Sequence, residues 1–169
     1  SYDMWITSYR LEDYEGIDFS TIETAFNGAE VIRPNTLSSF SEIFSKHGFD
    51  ESAFLPCYGM AECTLLVSGS HLRELSTTAS ANMGGKQVFS SGVVADDYIV
   101  EIVDPESKAI LSSGEEGEVW LSGSSVSPGI WGKSDVENQA FRHSLSEYPG
   151  KRFLSTGELV VNLDNKLCV

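Results

Sequence analysis

Residues 24–58, TAFNGAEVIRPNTLSSFSEIFSKHGFDESAFLPCY, decide the fold of this chain. A short β-type run ends at Phe26, and a second runs from Phe54 to Tyr58. Between them, apolar residues recur at helical spacing from Leu37 to His47, and Gly48 is a natural helix end. A strand, a helix and a second strand in this order predict a parallel sheet covered by helices.

The second half of the chain has a different pattern, which begins near residues 83–85. Short β-type runs are separated by turns, and residues 164–166 join the last two runs as in a β-hairpin. Residues 134–141 predict a short helix. The β-type runs are Ile99 to Val103, Glu118 to Leu121, Leu159 to Leu163 and Leu167 to Val169.

Together these patterns predict an α/β fold in two parts. Residues 1–87 would form a partial parallel sheet with helices, and residues 88–169 a small antiparallel, β-barrel-like subdomain. Two strands are too few for a sheet that is buried on both faces. We therefore expect the chain to be an internal piece of a larger protein.

Charge and composition limit the kinds of molecule that the chain is expected to bind. The formal net charge is −14, with 5 Lys/Arg against 12 Asp/Glu in residues 1–90 and 6 against 13 in residues 91–169. A surface this acidic repels phosphate backbones, so we expect no nucleic-acid partner. No apolar run approaches the roughly 18 residues that cross a bilayer, so we also expect no transmembrane segment.

The number and spacing of the cysteines indicate the cellular compartment of the protein. Cys57, Cys63 and Cys168 form no CxxC pair, and the three histidines are scattered. A disulfide framework and a zinc site are therefore both disfavoured. Three reduced thiols are typical of a cytoplasmic protein.

Three clusters carry candidate chemistry. Asn27-Gly28-Ala29-Glu30 follows a β-type run, where small residues let a flat ligand lie close to the backbone. Tyr58-Gly59-Met60-Ala61-Glu62 also lies at a strand end. There an aromatic ring could stack on a base and a carboxylate could hold Mg²⁺. In Thr156-Gly157-Glu158, a carboxylate after a turn between two β-type runs could accept both hydroxyls of a ribose.

Each cluster also has a purely structural interpretation. The first could be a tight turn, and the third a bulged hairpin with a surface glutamate. In the second, Tyr58 could belong to the core and Glu62 could be a solvated helix start. The residues of each cluster taken alone leave these alternatives open.

The order of the clusters resembles the adenylate-forming superfamily, which includes acyl-CoA synthetases, luciferases and adenylation domains. Between the second and third clusters lies Gly117-Glu118-x4-Gly123-x5-Gly129, similar to the superfamily segment that enters a barrel-like subdomain. Within the superfamily, Phe26-Asn27-Gly28-Ala29-Glu30 and Tyr58-Gly59-Met60-Ala61-Glu62 are most similar to fatty acyl-AMP ligases. The resemblance covers essentially the whole chain.

The resemblance implies an ATP-dependent ligase that converts a fatty acid into an acyl-adenylate. Glu30 and its neighbours would line the adenine, Tyr58 would stack on it, and Glu158 would bind the ribose. Glu62 would be the catalytic residue and the metal ligand, placing Mg²⁺ on the phosphates of ATP. The fatty chain would run near Met60 and the strand that ends at Phe26. The implied nucleotide contacts are Asn27, Gly28, Ala29, Glu30, Tyr58, Gly59, Met60, Ala61 and Glu158.

Some residues depart from the superfamily pattern. Glu158 stands where the superfamily has Asp, Ser155 where it usually has Arg, and Ile130 where it usually has Tyr. The phosphate loop that ends in Lys and the Lys-bearing C-terminal lobe do not occur in the chain. We therefore expect this chain alone to be inactive, and the rest of the parent ligase to supply those parts.

Three functions remain open. An acyl-AMP ligase would deliver the acyl group to an acyl carrier protein, whereas an acyl-CoA ligase would deliver it to coenzyme A. The third function is a non-catalytic module of the same fold that binds a partner or a lipid, and Ser155 and Glu158 favour it.

Overall fold

The computed structural model describes residues 2–71 and 80–169, which form two α-helices and nine strands with short 3-10 turns. The helices are α1 (Tyr2–Ser8) and α2 (Pro34–Phe44). The strands are β1 (Ala25–Asn27), β2 (Phe54–Met60), β3 (Leu65–Gly69), β4 (Ser80–Met83), β5 (Lys86–Val94), β6 (Tyr98–Val103), β7 (Glu116–Gly123), β8 (Leu154–Leu163) and β9 (Lys166–Cys168).

The predicted amphipathic helix is confirmed as α2. Pro34 stands in its first turn, where a missing N–H costs nothing. Leu37, Phe40 and Phe44 are buried on one face, against an aromatic cluster that includes rings from α1. A 3-10 turn extends the helix to His47, and Gly48 ends it in the left-handed conformation at φ +88°.

The strands form one sheet in the order β1-β2-β3-β5-β9-β8-β7-β6, with β4 paired to β5. Within the described residues only β1 and β2 are parallel, with Asn27 opposite Pro56, and the other pairs are antiparallel. The division at residue 87 falls inside β5, in the β4–β5 hairpin. That division stays a prediction.

The sheet is curled. Tyr58 of β2 shares a buried cluster with Val119 of β7 and Val160 of β8, although β3, β5 and β9 separate β2 from β8 in the sheet. In the described chain β1 and β6 each pair with a single neighbour, so the sheet curls without closing into a barrel. Residues adjacent in the chain pack in two separate clusters: Val119 and Leu154 belong to one, and Trp120 and Phe153 belong to the other.

Two local predictions are corrected. The expected helix over residues 134–141 is only a 3-10 turn, Gln139–Phe141. Buried Asn138 uses its side-chain amide to bind Ile130 and Lys133, which draws this segment into a compact loop instead of a helix. The expected turn at Thr156-Gly157-Glu158 lies inside the continuous strand β8 as a bulge.

No helix in the described ranges is long and apolar enough to cross a membrane.

Candidate functional site

The carboxyl ends of β1 and β2 lie side by side because these two strands are parallel. After Asn27 the chain passes directly over β2. A side chain at Gly28 would meet the Cys57 carbonyl oxygen at 2.6 Å and the Cys57 Sγ at 2.7 Å. Only glycine therefore allows this loop to rest on the strand that carries Tyr58.

The loop borders an open cavity of about 230 Å³ at the end of β1. Its polar lining includes Asp3, Glu30 and Arg33. The Thr36 hydroxyl donates to the Asp3 carboxylate at 2.7 Å, and the Tyr2 hydroxyl donates to the Phe26 carbonyl at 2.6 Å. These bonds tie α1 to α2 and to the end of β1, and Glu30 remains exposed at the cavity.

The second cluster lies at an irregular point in the sheet. The pairing of β2 with β3 shifts register between Tyr58 and Gly59. A Cβ at Gly59 would lie 1.5 Å from the Leu65 carbonyl oxygen, so glycine is required there. Ala61 and Glu62 follow in a 3-10 turn with exposed side chains. The backbone carbonyl of Glu62 accepts a hydrogen bond from the Ser127 N–H at 2.7 Å, which joins this turn to the loop after β7.

Tyr58 lies inside the curled sheet, with 7% of its surface exposed. Its hydroxyl is buried and has no partner at hydrogen-bonding geometry among the described residues, although Glu158 and Thr156 lie beside it. Burial first, and the neighbouring Glu158 carboxylate second, raise the pKa of Tyr58 far above that of a free phenol. Tyr58 therefore stays protonated and can donate a hydrogen bond towards Glu158.

The β8 bulge presents Glu158. Trp120 pairs with Ser155 and Glu118 with Leu159, so three residues of β8 stand opposite Val119 alone. Gly157 adopts φ +75°, which glycine tolerates best. The Thr156 hydroxyl donates to the Val119 carbonyl at 3.0 Å and accepts from the Glu158 N–H at 3.1 Å.

The fold brings together some of the predicted site residues. Tyr58 and Glu158 are neighbours because the sheet curls, and Gly28 touches Cys57, the residue before Tyr58. Glu30 lines the cavity at the end of β1, together with residues of that strand end and of the two helices. A single nucleoside-sized hollow that contains Glu30, Tyr58 and Glu158 stays a prediction.

The sequence reasoning gave Glu118 no role. In the structure the Glu118 carboxylate accepts a hydrogen bond from the Gly157 N–H at 2.9 Å, between residues 39 positions apart. Gly117 and Glu118 open a segment that resembles the superfamily pattern. No pattern in the sequence, however, indicates which backbone N–H donates to the Glu118 carboxylate.

The residues present fit a nucleotide. An exposed carboxylate on a pinned bulge suits the two hydroxyls of a ribose, and a buried tyrosine hydroxyl beside it can orient it. Among the described residues, no three or more His, Cys, Asp or Glu side chains lie close enough together to hold a metal ion by themselves. Mg²⁺ commonly binds proteins through one or two carboxylates and takes its other ligands from phosphates and water. Glu62 fits that limited role.

Comparison with known proteins identifies the family of the chain. The sequence profile of the family described as AMP-binding enzyme matches residues 2–131. The chain belongs to the AMP-binding enzyme family. This AMP-binding chain is 33% identical, over 79% of its length, to the long-chain-fatty-acid–AMP ligase FadD32 of Mycobacterium marinum, and covers 24% of that protein.

Two further proteins are similar to this AMP-binding chain. It is 28% identical over its whole length to the medium-chain-fatty-acid–[acyl-carrier-protein] ligase JamA of Moorena producens, and covers 32% of that protein. The crystal structure of fatty acyl-adenylate ligase from L. pneumophila, in complex with acyl adenylate and pyrophosphate, superposes with a TM-score of 0.84 at 33% identity. That match covers 99% of this chain and 32% of the other. The chain thus spans a quarter to a third of these relatives.

Proposed function

We propose that this chain is an internal segment of a fatty acyl-AMP ligase. In this proposal the complete enzyme uses ATP to convert a fatty acid into an acyl-adenylate. The proximity of Tyr58 and Glu158 carries the proposal, because it brings a tyrosine and an exposed carboxylate from two distant parts of the chain to one place, where the carboxylate could accept the hydroxyls of a ribose. The similarity to two fatty acid–AMP ligases supports the same reaction.

The chain's own residues would bind three parts of the nucleotide complex: the adenine, the ribose and Mg²⁺. Gly28 and Ala29 would let the adenine lie flat on the backbone, with Glu30 at its edge and Tyr58 against its face. Glu158 would accept the ribose hydroxyls. Glu62 would hold Mg²⁺, which neutralises charge when two anions, the fatty carboxylate and the α-phosphate, approach each other. Other cations needed for this neutralisation would come from the rest of the protein.

We further propose an acyl carrier protein as the acceptor and the cytoplasm as the compartment. The Moorena relative is named as a ligase of fatty acids to an acyl carrier protein, which supports this choice. An acyl-CoA ligase is the alternative, since another relative, 32% identical, is named a putative fatty-acid–CoA ligase. The fatty chain would lie near half-buried Met60 and near Phe26, which is 62% exposed.

The experiment is a pyrophosphate-release assay on the complete ligase with ATP, Mg²⁺ and fatty acids of medium and long chain length. We expect ATP-dependent release with at least one acid, and none from the 169-residue chain alone. Carrier protein and coenzyme A, added separately, would identify the acceptor. Absence of release with every acid would instead favour the non-catalytic module, which the departure at Glu158 also favours.

A further inference from the structure

The contact between Glu118 and Gly157 lies at the point where β8 leaves its regular pairing. Pairing with β7 is intact on both sides, at Ser155 and at Leu159. Among the described residues, two side chains bond across the strands between these pairs: the Thr156 hydroxyl of β8 donates to the Val119 carbonyl, and the Glu118 carboxylate of β7 accepts from the Gly157 N–H. Two side-chain hydrogen bonds thus cross between β7 and β8 at the bulge.

Gly157 needs such a restraint. Its φ is +75°, and no heavy atom lies within 4 Å of the position that a Cβ would occupy. A glycine in open space populates many backbone conformations. The Gly157 N–H donates to the Glu118 carboxylate, and a carboxylate accepts a stronger hydrogen bond than a neutral group does.

We propose that Glu118 is a positioning residue for the nucleotide. It holds the Gly157 amide so that the next residue, Glu158, presents its carboxylate to the ribose hydroxyls beside Tyr58. This inference rests on the proposed nucleotide-binding function and adds a residue to it. Because the flanking pairs join the backbones of β7 and β8 and do not use the Glu118 side chain, removal of that side chain loosens the bulge and leaves β7 and β8 paired.

The test compares two nucleotides on the complete ligase. AMP and 2′,3′-dideoxy-AMP differ only in the two hydroxyls that Glu158 would accept. We expect Glu118→Leu to raise the Kd of AMP about tenfold, as expected for loss of one hydrogen bond to a charged acceptor. The Kd of 2′,3′-dideoxy-AMP should stay within about twofold. Glu118→Gln keeps an acceptor oxygen and should give an intermediate loss.

Glu116→Leu is the matched control, since Glu116 is exposed on the same strand and pairs with Val161, away from the bulge. It should change neither Kd. Hydrogen exchange gives a readout that needs no ligand: Glu118→Leu should speed exchange of the Gly157 amide and leave the amides of Val160 and Val161 protected.

Several results would overturn the proposal. An equal loss of both nucleotides would show that Glu118 acts only on general structure. An unchanged Kd for both, or an unchanged exchange rate at Gly157, would show that Glu118 holds nothing. If the unmodified ligase binds neither nucleotide, the proposed function itself is wrong, and this inference fails with it.

Discussion

At the scale of single residues, Tyr58 is a core residue, which was one of the two alternatives that the sequence presented, and its stacking on a base stays a prediction. Its ring is buried in the core, and its hydroxyl lies beside Glu158. A ring with 7% exposure has only a narrow strip left for stacking. The hydroxyl, which stays protonated, is buried beside Glu158, the proposed ribose ligand.

Substitutions at Tyr58 should separate the contribution of its ring from that of its hydroxyl. Tyr58→Ala removes a buried ring, and we expect it to lower the free energy of unfolding by about 3–5 kcal/mol. It should also weaken AMP binding by about 1–3 kcal/mol, as loss of base stacking does. Tyr58→Phe keeps the ring and removes a hydroxyl that has no partner at hydrogen-bonding geometry in the described chain, so stability should change by under about 1 kcal/mol. Urea denaturation and calorimetry with AMP would measure both effects. Equal destabilisation by the two variants would contradict this account.

Glu158 is the residue at which the chain departs most from the superfamily pattern. Glu158→Asp restores the usual side chain but withdraws the carboxylate by one methylene from Tyr58. A shift of about 1 Å in a positioned site can cost up to ~100-fold, and we expect at least a tenfold fall in kcat/KM for ATP. Steady-state kinetics of the complete ligase would test it. A rise in kcat/KM would show that the bulge suits the shorter side chain.

At the scale of secondary-structure elements, glycines with positive φ set the local geometry of the strands and turns. Gly157 has φ +75° inside β8, and Gly150 has φ +79° in an exposed turn. Neither position has a heavy atom within 4 Å of a built Cβ. The two sites thus share the backbone conformation and the open surroundings, but only Gly157 adjoins the proposed ribose site.

These two glycines make a matched pair of substitutions. Gly157→Ala and Gly150→Ala should each cost about 1–2 kcal/mol of stability, because an L side chain is strained in the left-handed region. Only Gly157→Ala should also raise the Kd of AMP, since it shifts the bulge that presents Glu158. Thermal unfolding and calorimetry would check the pair. If Gly150→Ala weakened AMP equally, stability alone would explain the loss.

At the scale of the whole molecule, charge is the dominant feature. The net charge is −14, and the two ion pairs among the described residues, Lys133 with Glu137 and Arg142 with Asp135, are both exposed. Exposed pairs contribute little stability, whereas excess like charge destabilises the compact state through self-repulsion. The fold therefore carries an electrostatic cost that salt can screen.

Raising NaCl from 0.02 to 0.2 M should increase the unfolding temperature at pH 7, because the Debye length shortens to less than 10 Å. Near the sequence pI of about 4.4 the net charge is small, and the same change in salt should have little effect. Differential scanning calorimetry at the two pH values would measure this. A lower unfolding temperature in salt at pH 7 would mean that attractive ion pairs outweigh the repulsion.

The sequence predicted the local elements well because their signals are local. The helix around Phe40 follows from spacing and from Gly48, and the β8–β9 hairpin follows from Asp164-Asn165, where both residues adopt positive φ. The short helix over residues 134–141 was wrong because Asn138 bonds to residues outside that segment. Spacing within a segment carries no information about such contacts.

The sequence by itself determined the α/β class, the helix α2, the β-type runs of β1, β2, β6, β7, β8 and β9, and the three clusters that carry candidate chemistry. It did not separately predict β3, β4 or β5. Tertiary structure alone decided that Tyr58 meets Glu158 and that Glu118 holds Gly157. Both contacts depend on how the sheet curls and on a register shift between β7 and β8. These features arise from packing between residues tens of positions apart, which no periodicity along the chain encodes.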